Sequence, residues 1–484
     1  MSNESKLDAK QLQEELAKKY KNPKNVEHFG VEAIPPELKT TRWYDLFMIF
    51  ASFFITPVHM MLPGTFALVY GLSFWQAVIS TTLGTSLAYI FEAVFAMTGT
   101  KYGLPGAVAT RFTMGSTLAR IIPSVLRAAT SVILFASQTL GGGLMIQALL
   151  RYATGNTYSL ILISLLFAIF QTIIAIMGFE GLKKITRYIF PVKLLGMGYI
   201  AYSLIYSGLP EFAWDTVTKA PPATPGWSGF AIATSLMMGI FLTLITDTSD
   251  FCRYTKNNPE MFFGTVVGTS VSQFIASFMG VYSALAIKNW NPFEAITHTN
   301  PALIVVVFLI IMVVLDNWSV NILNLYTAGL CLVNSVPKLG RFWWTVIAGV
   351  FATIASTMPV FIEQASAIVN QFGLVYSPIA GILMADLLFL KKFKMDMNEL
   401  MKTDGRYGYY KGWNLIAILV IAIGAISFNF WPDIMVPVLS NIIFTGILYY
   451  VLVKVISPHW EGLRIASTPY EEEATPSKEN PIAG

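Results

Sequence analysis

The chain has 484 residues, 55% of them hydrophobic and only 12% charged, with a mean hydropathy of +0.59. That charged fraction is about half of what a soluble protein carries, and the apolar residues fall in blocks near the roughly 20 residues that cross a bilayer, so composition excludes a soluble globular chain and predicts a polytopic protein whose main partner is the lipid bilayer. The net charge of +4 is carried by basic residues scattered between the blocks, which implies no nucleic-acid surface, and Cys252 and Cys331, in or beside apolar segments, give no disulfide framework.

The N-terminal stretch 1–42 is polar and mixed in charge, with no apolar core of a cleavable signal peptide. Its first part has the pattern of a short amphipathic helix. Twelve spans are then predicted, at 43–70, 74–98, 122–150, 157–178, 187–207, 228–252, 261–287, 302–334, 342–360, 364–390, 413–430 and 433–456. The basic residues of alternate loops set the orientation. With the N-terminus inside, the inner loops hold Lys101, Arg111, Arg120, Lys183, Lys184, Arg187, Arg253, Lys256, Lys338, Arg341, Lys391, Lys392 and Lys394. The outer loops hold Arg151, Lys219, Lys288 and little else. The expectation is a multi-pass protein of the cell membrane with both termini cytoplasmic.

Two spans are interrupted. The first carries "ITPVHMMLPG" (Ile55–Gly64), where Pro57 and Pro63 each remove a backbone donor and His59 lies between them. The sixth carries "MMGIFLTLITDTSD" (Met237–Asp250), with Gly239, several hydroxyls, Asp247 and Asp250. Breaks at matching positions of two five-helix halves are the signature of an inverted-repeat secondary transporter with its site near the bilayer midplane. The domain expectation follows: a tail at 1–42, repeats at 43–207 and 228–390, two extra helices at 413–456 and a tail at 457–484.

Further motifs carry a resemblance. "GTKYGLPGAVATRFTMG" (Gly99–Gly115) after the second span, "SDFCRYTKN" (Ser249–Asn257), "LYTAGLCLVNSV" (Leu325–Val336) and "SPIAGILMADLLFLKK" (Ser377–Lys392) occur in order. Together they resemble the nucleobase–cation symporters of family one, which include cytosine, purine, allantoin and hydantoin permeases, and the spacing is similar to that of the bacterial cytosine permeases. The resemblance runs from Trp43 to about Pro458. It implies an all-α, LeuT-like membrane fold of two inverted five-helix repeats plus two helices. It also implies import of a nucleobase or related small heterocyclic amide by cation symport, with substrate and cation beside the two breaks.

The same resemblance assigns residues. In the third span Leu134 stands where relatives supply a tryptophan for ring stacking, with Phe135 next to it, and Gln138 follows one helical turn later on the same face. The amide of Gln138 offers both donor and acceptor to the edge of a heterocycle. An interhelical structural bond is the alternative. In the sixth span Phe241 matches the ring that stacks on substrate, and Thr243 matches a nearby hydroxyl. In the eighth, "VVLDNWSVNILNLY" (Val313–Tyr326) places Asp316, Ser319, Asn321 and Asn324 inside an apolar helix. Asn321 matches a substrate amide and Asn324 joins its polar stripe. Asp316 and Ser319 fall at the cation position, where Val320 lacks the hydroxyl that relatives often have. Sodium, held by Asp316, Ser319 and carbonyls freed at the first break, is favoured over a proton. A proton shared between Asp316 and His59 is the alternative, since an ionisable residue inside a span is a functional candidate. No cofactor is expected. An amino-acid carrier of the same fold and a membrane enzyme are the competing classes. The first needs a glycine-rich break, and the second needs a convergent His/Asp/Glu cluster, which His28, His59, His298 and His459 do not supply.

Overall fold

The computed structural model describes residues 11–16, 18–19, 29–175, 179–224, 226–400, 402 and 405–471. Residues 11–16 of the expected amphipathic N-terminal helix are helical. The rest of that tail up to 28, apart from 18–19, lies outside the described residues, as do 472–484 of the C-terminal tail and the side chains of Lys183, Lys184 and Arg187.

The named elements are all helices. The main ones are α1 (Trp43–Phe54), α2 (Pro57–Val69), α3 (Phe74–Tyr102), α4 (Ser116–Thr154), α5 (Leu160–Ala175), α6 (Phe179–Ile205) and α7 (Ser228–Leu242). They continue as α8 (Asp247–Cys252), α9 (Gly268–Ile287), α10 (Leu303–Ser335), α11 (Gly340–Ala355), α12 (Ala365–Met384), α13 (Leu415–Phe428) and α14 (Pro437–Ile456). Among the described residues, 7 helices are long and apolar enough to cross a membrane, or 8 if the bent pair α1–α2 is one span. Leu160–Ile173, Ser228–Leu242 and Leu415–Phe428 are apolar but shorter. Large apolar side chains such as Ile304, Leu195, Ile173 and Phe430 point outward, as a lipid-facing surface requires.

Both expected breaks are present. Pro57 forces Thr56 into extended backbone (φ −144°, ψ 167°), which ends α1, and then serves as the first residue of α2, so the two halves meet at 54°. Between α7 and α8 the chain tightens into turns, with Leu244 N–H donating to the Phe241 carbonyl (2.8 Å) and Asp247 N–H to the Leu244 carbonyl (2.8 Å). The third span differs from expectation. It starts at Ser116 instead of 122 and runs through Pro123. The helix survives the proline because the Ser124 hydroxyl donates to the Ala119 carbonyl (2.8 Å), the acceptor that Pro123 cannot serve.

α4 and α10 share the most extensive interface among the described residues. The run Gly141, Gly142, Gly143 makes room there. A Cβ on Gly141 would lie 2.8 Å from the Pro57 ring, and one on Gly142 would collide with the Asn317 amide. Triple glycine thus lets α2 and α10 approach α4 closely, which brings the first break, α4 and α10 to one point.

Candidate functional site

Gln138, on α4, reaches the break between α1 and α2. Its Nε2 donates to Thr56 Oγ1 (3.0 Å), and its Oε1 accepts from Val58 N–H (3.3 Å). Thr56 and His59 Nδ1 share a short hydrogen bond. One amide therefore supplies the partners that the interrupted helix lacks.

Beside this junction lies a narrow cavity lined by Phe53, Val58, His59, Leu134, Gln138, Phe241, Val320 and Asn324, among others. It adjoins both interrupted helices. The imidazole of His59 lies parallel to Phe241, with 9° between ring planes and 5.3 Å between centres. The free space is ≈ 20 Å³, room for about one water. A second space of ≈ 10 Å³, lined by Phe50, Tyr89, Asp247, Phe251 and Asn324 among others, lies on the α8 side. Asn324 borders both.

The cation candidates sit elsewhere. Asp316 Oδ1 pairs with Lys193 Nζ of α6 at 2.5 Å, with both side chains almost fully buried. Lys193 also donates to the Ser52 carbonyl in the last turn of α1 and to Ser319 Oγ (3.1 Å). Ser319 Oγ donates in turn to the Asp316 carbonyl (2.8 Å). The structure thus joins Asp316 and Ser319 to the end of α1, but places His59 with Thr56 and Phe241. The anticipated Asp316–His59 pair is replaced by Asp316–Lys193, because the lysine reaches the carboxylate from the facing helix.

Two substrate candidates are also placed differently. The Asn321 amide nitrogen lies within reach of Thr139 Oγ1 (2.9 Å), Gln171 Oε1 and Asn317 Oδ1 (3.1 Å), while Gln171 Nε2 donates to Asn317 Oδ1 (3.2 Å). It therefore faces α4 and α5, away from the cavity, and is linked to the cavity lining through Asn324, whose Nδ2 donates to Asn321 Oδ1 (3.2 Å). Thr243 spends its hydroxyl on the Ile240 carbonyl (2.6 Å) and does not line the cavity. A hydroxyl just past a helix end bonds back to the freed carbonyl. Leu134, Gln138, Phe241 and Asn324 all border the cavity.

The family model described as "Permease for cytosine/purines, uracil, thiamine, allantoin" matches residues 33–446. The chain belongs to that permease family. It is 24% identical over 402 residues to the hydantoin permease of Microbacterium maritypicum, covering 80% of each chain. It is 27% identical over 447 residues to the allantoin permease of Bacillus subtilis (strain 168), covering 83% of this chain and 88% of the relative. The fold is similar to that of Mhp1, a nucleobase-cation-symport-1 family transporter closed with bromovinylhydantoin bound (TM-score 0.77, 20% identity, 92% of this chain and 99% of that one). The same fold extends more distantly to a Na+-coupled sialic acid symporter (TM-score 0.58, 14% identity, 88% and 91%). Like its relatives, the permease is a multi-pass membrane transporter and not an enzyme.

Sequence reasoning missed three buried polar residues around the candidate site. Lys193, in "PVKLLGMG" (Pro191–Gly198), was visible as a lone cation in an apolar span, but nothing local linked it to Asp316, 123 positions later. Gln171 in α5 holds the asparagine cluster. Arg127, seven residues before Leu134 in the third span, donates through Nε to Asp247 Oδ1 (2.8 Å) and through Nη2 to Oδ2, a buried two-point pair between α4 and α8. Asp250 accepts from Gly106 N–H (2.7 Å), tying α8 to the loop after α3.

The placement of Gln138 yields an expected result. Gln138→Ala leaves the Thr56 hydroxyl and the Val58 N–H without their partner, at about 1–3 kcal/mol. Melting temperature and apparent substrate affinity should both fall, the latter about tenfold. A fall in melting temperature with unchanged affinity would make Gln138 a strut of the break and nothing more.

Proposed function

We propose that the permease imports a nucleobase or a related small heterocyclic amide across the plasma membrane by cation symport through alternating access, with both termini cytoplasmic. The working layout is twelve spans in two inverted five-helix repeats plus two helices, with domains as at 1–42, 43–207, 228–390, 413–456 and 457–484. The observation that carries the substrate reading is the parallel pairing of a planar ring on Phe241 at the edge of the Gln138 amide. A flat heterocycle offers the same face as the His59 imidazole now stacked there, and its amide edge can exchange for the Thr56 and Val58 bonds of Gln138. His59 swings aside as substrate enters. Leu134 lines the same space where relatives supply a stacking tryptophan, and Asn324 supplies a further amide. Asn321 holds Asn324 in place.

Membership of the family and the hydantoin and allantoin relatives support this substrate class. The oxygens of Asp316, Ser319 and the Ser52 carbonyl, gathered at the end of α1, support a cation position there, which the Lys193 ammonium occupies. An amino-acid carrier needs free N–H groups at the break to take a carboxylate, and Val58 N–H is already bound by Gln138.

The test is uptake of radiolabelled hydantoin, allantoin, cytosine and uracil by cells expressing the permease. At least one should accumulate. Phe241→Ala removes a buried ring and its stacking, and should weaken that substrate on the order of a hundredfold. No accumulation of any planar heterocycle, or normal uptake by Phe241→Ala, would sink the reading.

A further inference from the structure

An ammonium ion of the chain itself stands where a coupling cation would bind. A lysine has three N–H donors, and Lys193 Nζ meets three oxygens: Asp316 Oδ1 at 2.5 Å, Ser319 Oγ at 3.1 Å and the Ser52 carbonyl. They come from the two elements expected to supply the cation ligands, the end of α1 and the middle of α10. The side chains of Lys193 and Asp316 are 1% and 2% exposed. Two further bonds tie the cluster together: Ser52 Oγ donates to Ser319 Oγ (3.3 Å) and Ser319 Oγ to the Asp316 carbonyl.

Charge decides what else fits. One carboxylate and one ammonium leave the pocket neutral. A sodium ion added to it would bring a second positive charge against the ammonium in a low-dielectric interior, with its best oxygens already engaged. We propose that Lys193 is a built-in cation of this permease: its ammonium takes the place of sodium, bridging α1, α6 and α10, and the wild-type protein has no sodium site at Asp316 and Ser319. Removing the lysine side chain leaves a carboxylate, a hydroxyl and a helix-end carbonyl around a void, which is a set of hard oxygens suited to sodium. The inference rests on the reading of this cluster as the cation position, but it does not depend on which heterocycle is carried.

The experiment therefore uses no substrate. Detergent-purified wild-type protein and Lys193→Ala are melted in sodium chloride and in choline chloride at equal ionic strength. The wild type should melt at the same temperature in both salts. Lys193→Ala should melt lower in choline and recover progressively as sodium replaces it, because an ion that binds only the folded state stabilises it. The double variant Lys193→Ala/Asp316→Asn carries neither charge and should fold without responding to sodium. The wild-type arm is decisive even if the single variant does not fold. Sodium-dependent stabilisation of the wild type, or a folded Lys193→Ala protein indifferent to sodium, overturns the proposal. Failure of heterocycle uptake leaves these melts unaffected, so the two readings fail separately.

Discussion

Asp247→Ala should be among the most damaging single substitutions in the membrane-embedded core. It strands the guanidinium of Arg127, which is buried and bound to both carboxylate oxygens. Breaking a buried pair by removing one partner costs about 3–5 kcal/mol, whereas replacing both partners with apolar groups is often close to neutral. Arg127→Ala should do equal harm, and the paired change Arg127→Leu/Asp247→Leu should recover most of the folded yield. Size-exclusion profiles and melting temperatures of the four proteins form a double-mutant cycle that measures the coupling. The pair also joins α4 to α8 beside the space bordered by Tyr89, Phe251 and Asn324, so the recovered double variant should still transport poorly if α4 and α8 must part and rejoin in each cycle. Equal damage from single and double changes would show that the pair is not what holds these helices.

The second large effect is expected at Asp316. Asp316→Ala leaves the Lys193 ammonium buried against one carbonyl and one hydroxyl, without the carboxylate that pairs with it. The cost is again about 3–5 kcal/mol. Asp316→Asn keeps an oxygen acceptor for the ammonium and should lose less, and Asp316→Glu less still if the longer side chain finds room. The ranking of melting temperatures, wild type above Glu, Glu above Asn and Asn above Ala, follows from the charge and acceptor left for Lys193. A ranking that tracks only side-chain volume would mean that packing around α10 dominates. Transport by the Asn variant separates structure from coupling. If it folds and binds a heterocycle but fails to accumulate it, the charge at Asp316 is needed for the cycle itself.

The sequence by itself determined the class of molecule and the places where its helices break. A charged fraction of 12% and apolar blocks of bilayer length leave no soluble alternative. Pro57 favours ending one helix and starting another, because it lacks an N–H and restricts Thr56. These are local effects, set by composition and by covalent geometry, although Pro63 and Pro123 stay inside helices. The family resemblance was likewise carried by motifs contiguous in the chain. Which polar group meets which was decided only by the tertiary structure. Asn321 and Asn324 are three residues apart and looked like one stripe, yet the packing of α5 through Gln171 draws Asn321 to a structural cluster and leaves Asn324 at the cavity. His59 and Asp316 were plausible partners as two titratable groups near one break. The fold instead stacks His59 on Phe241 and delivers Lys193 to Asp316. A buried charge takes its partner from whichever helix faces it, and that helix is fixed by packing across the bundle, which sequence periodicity does not record.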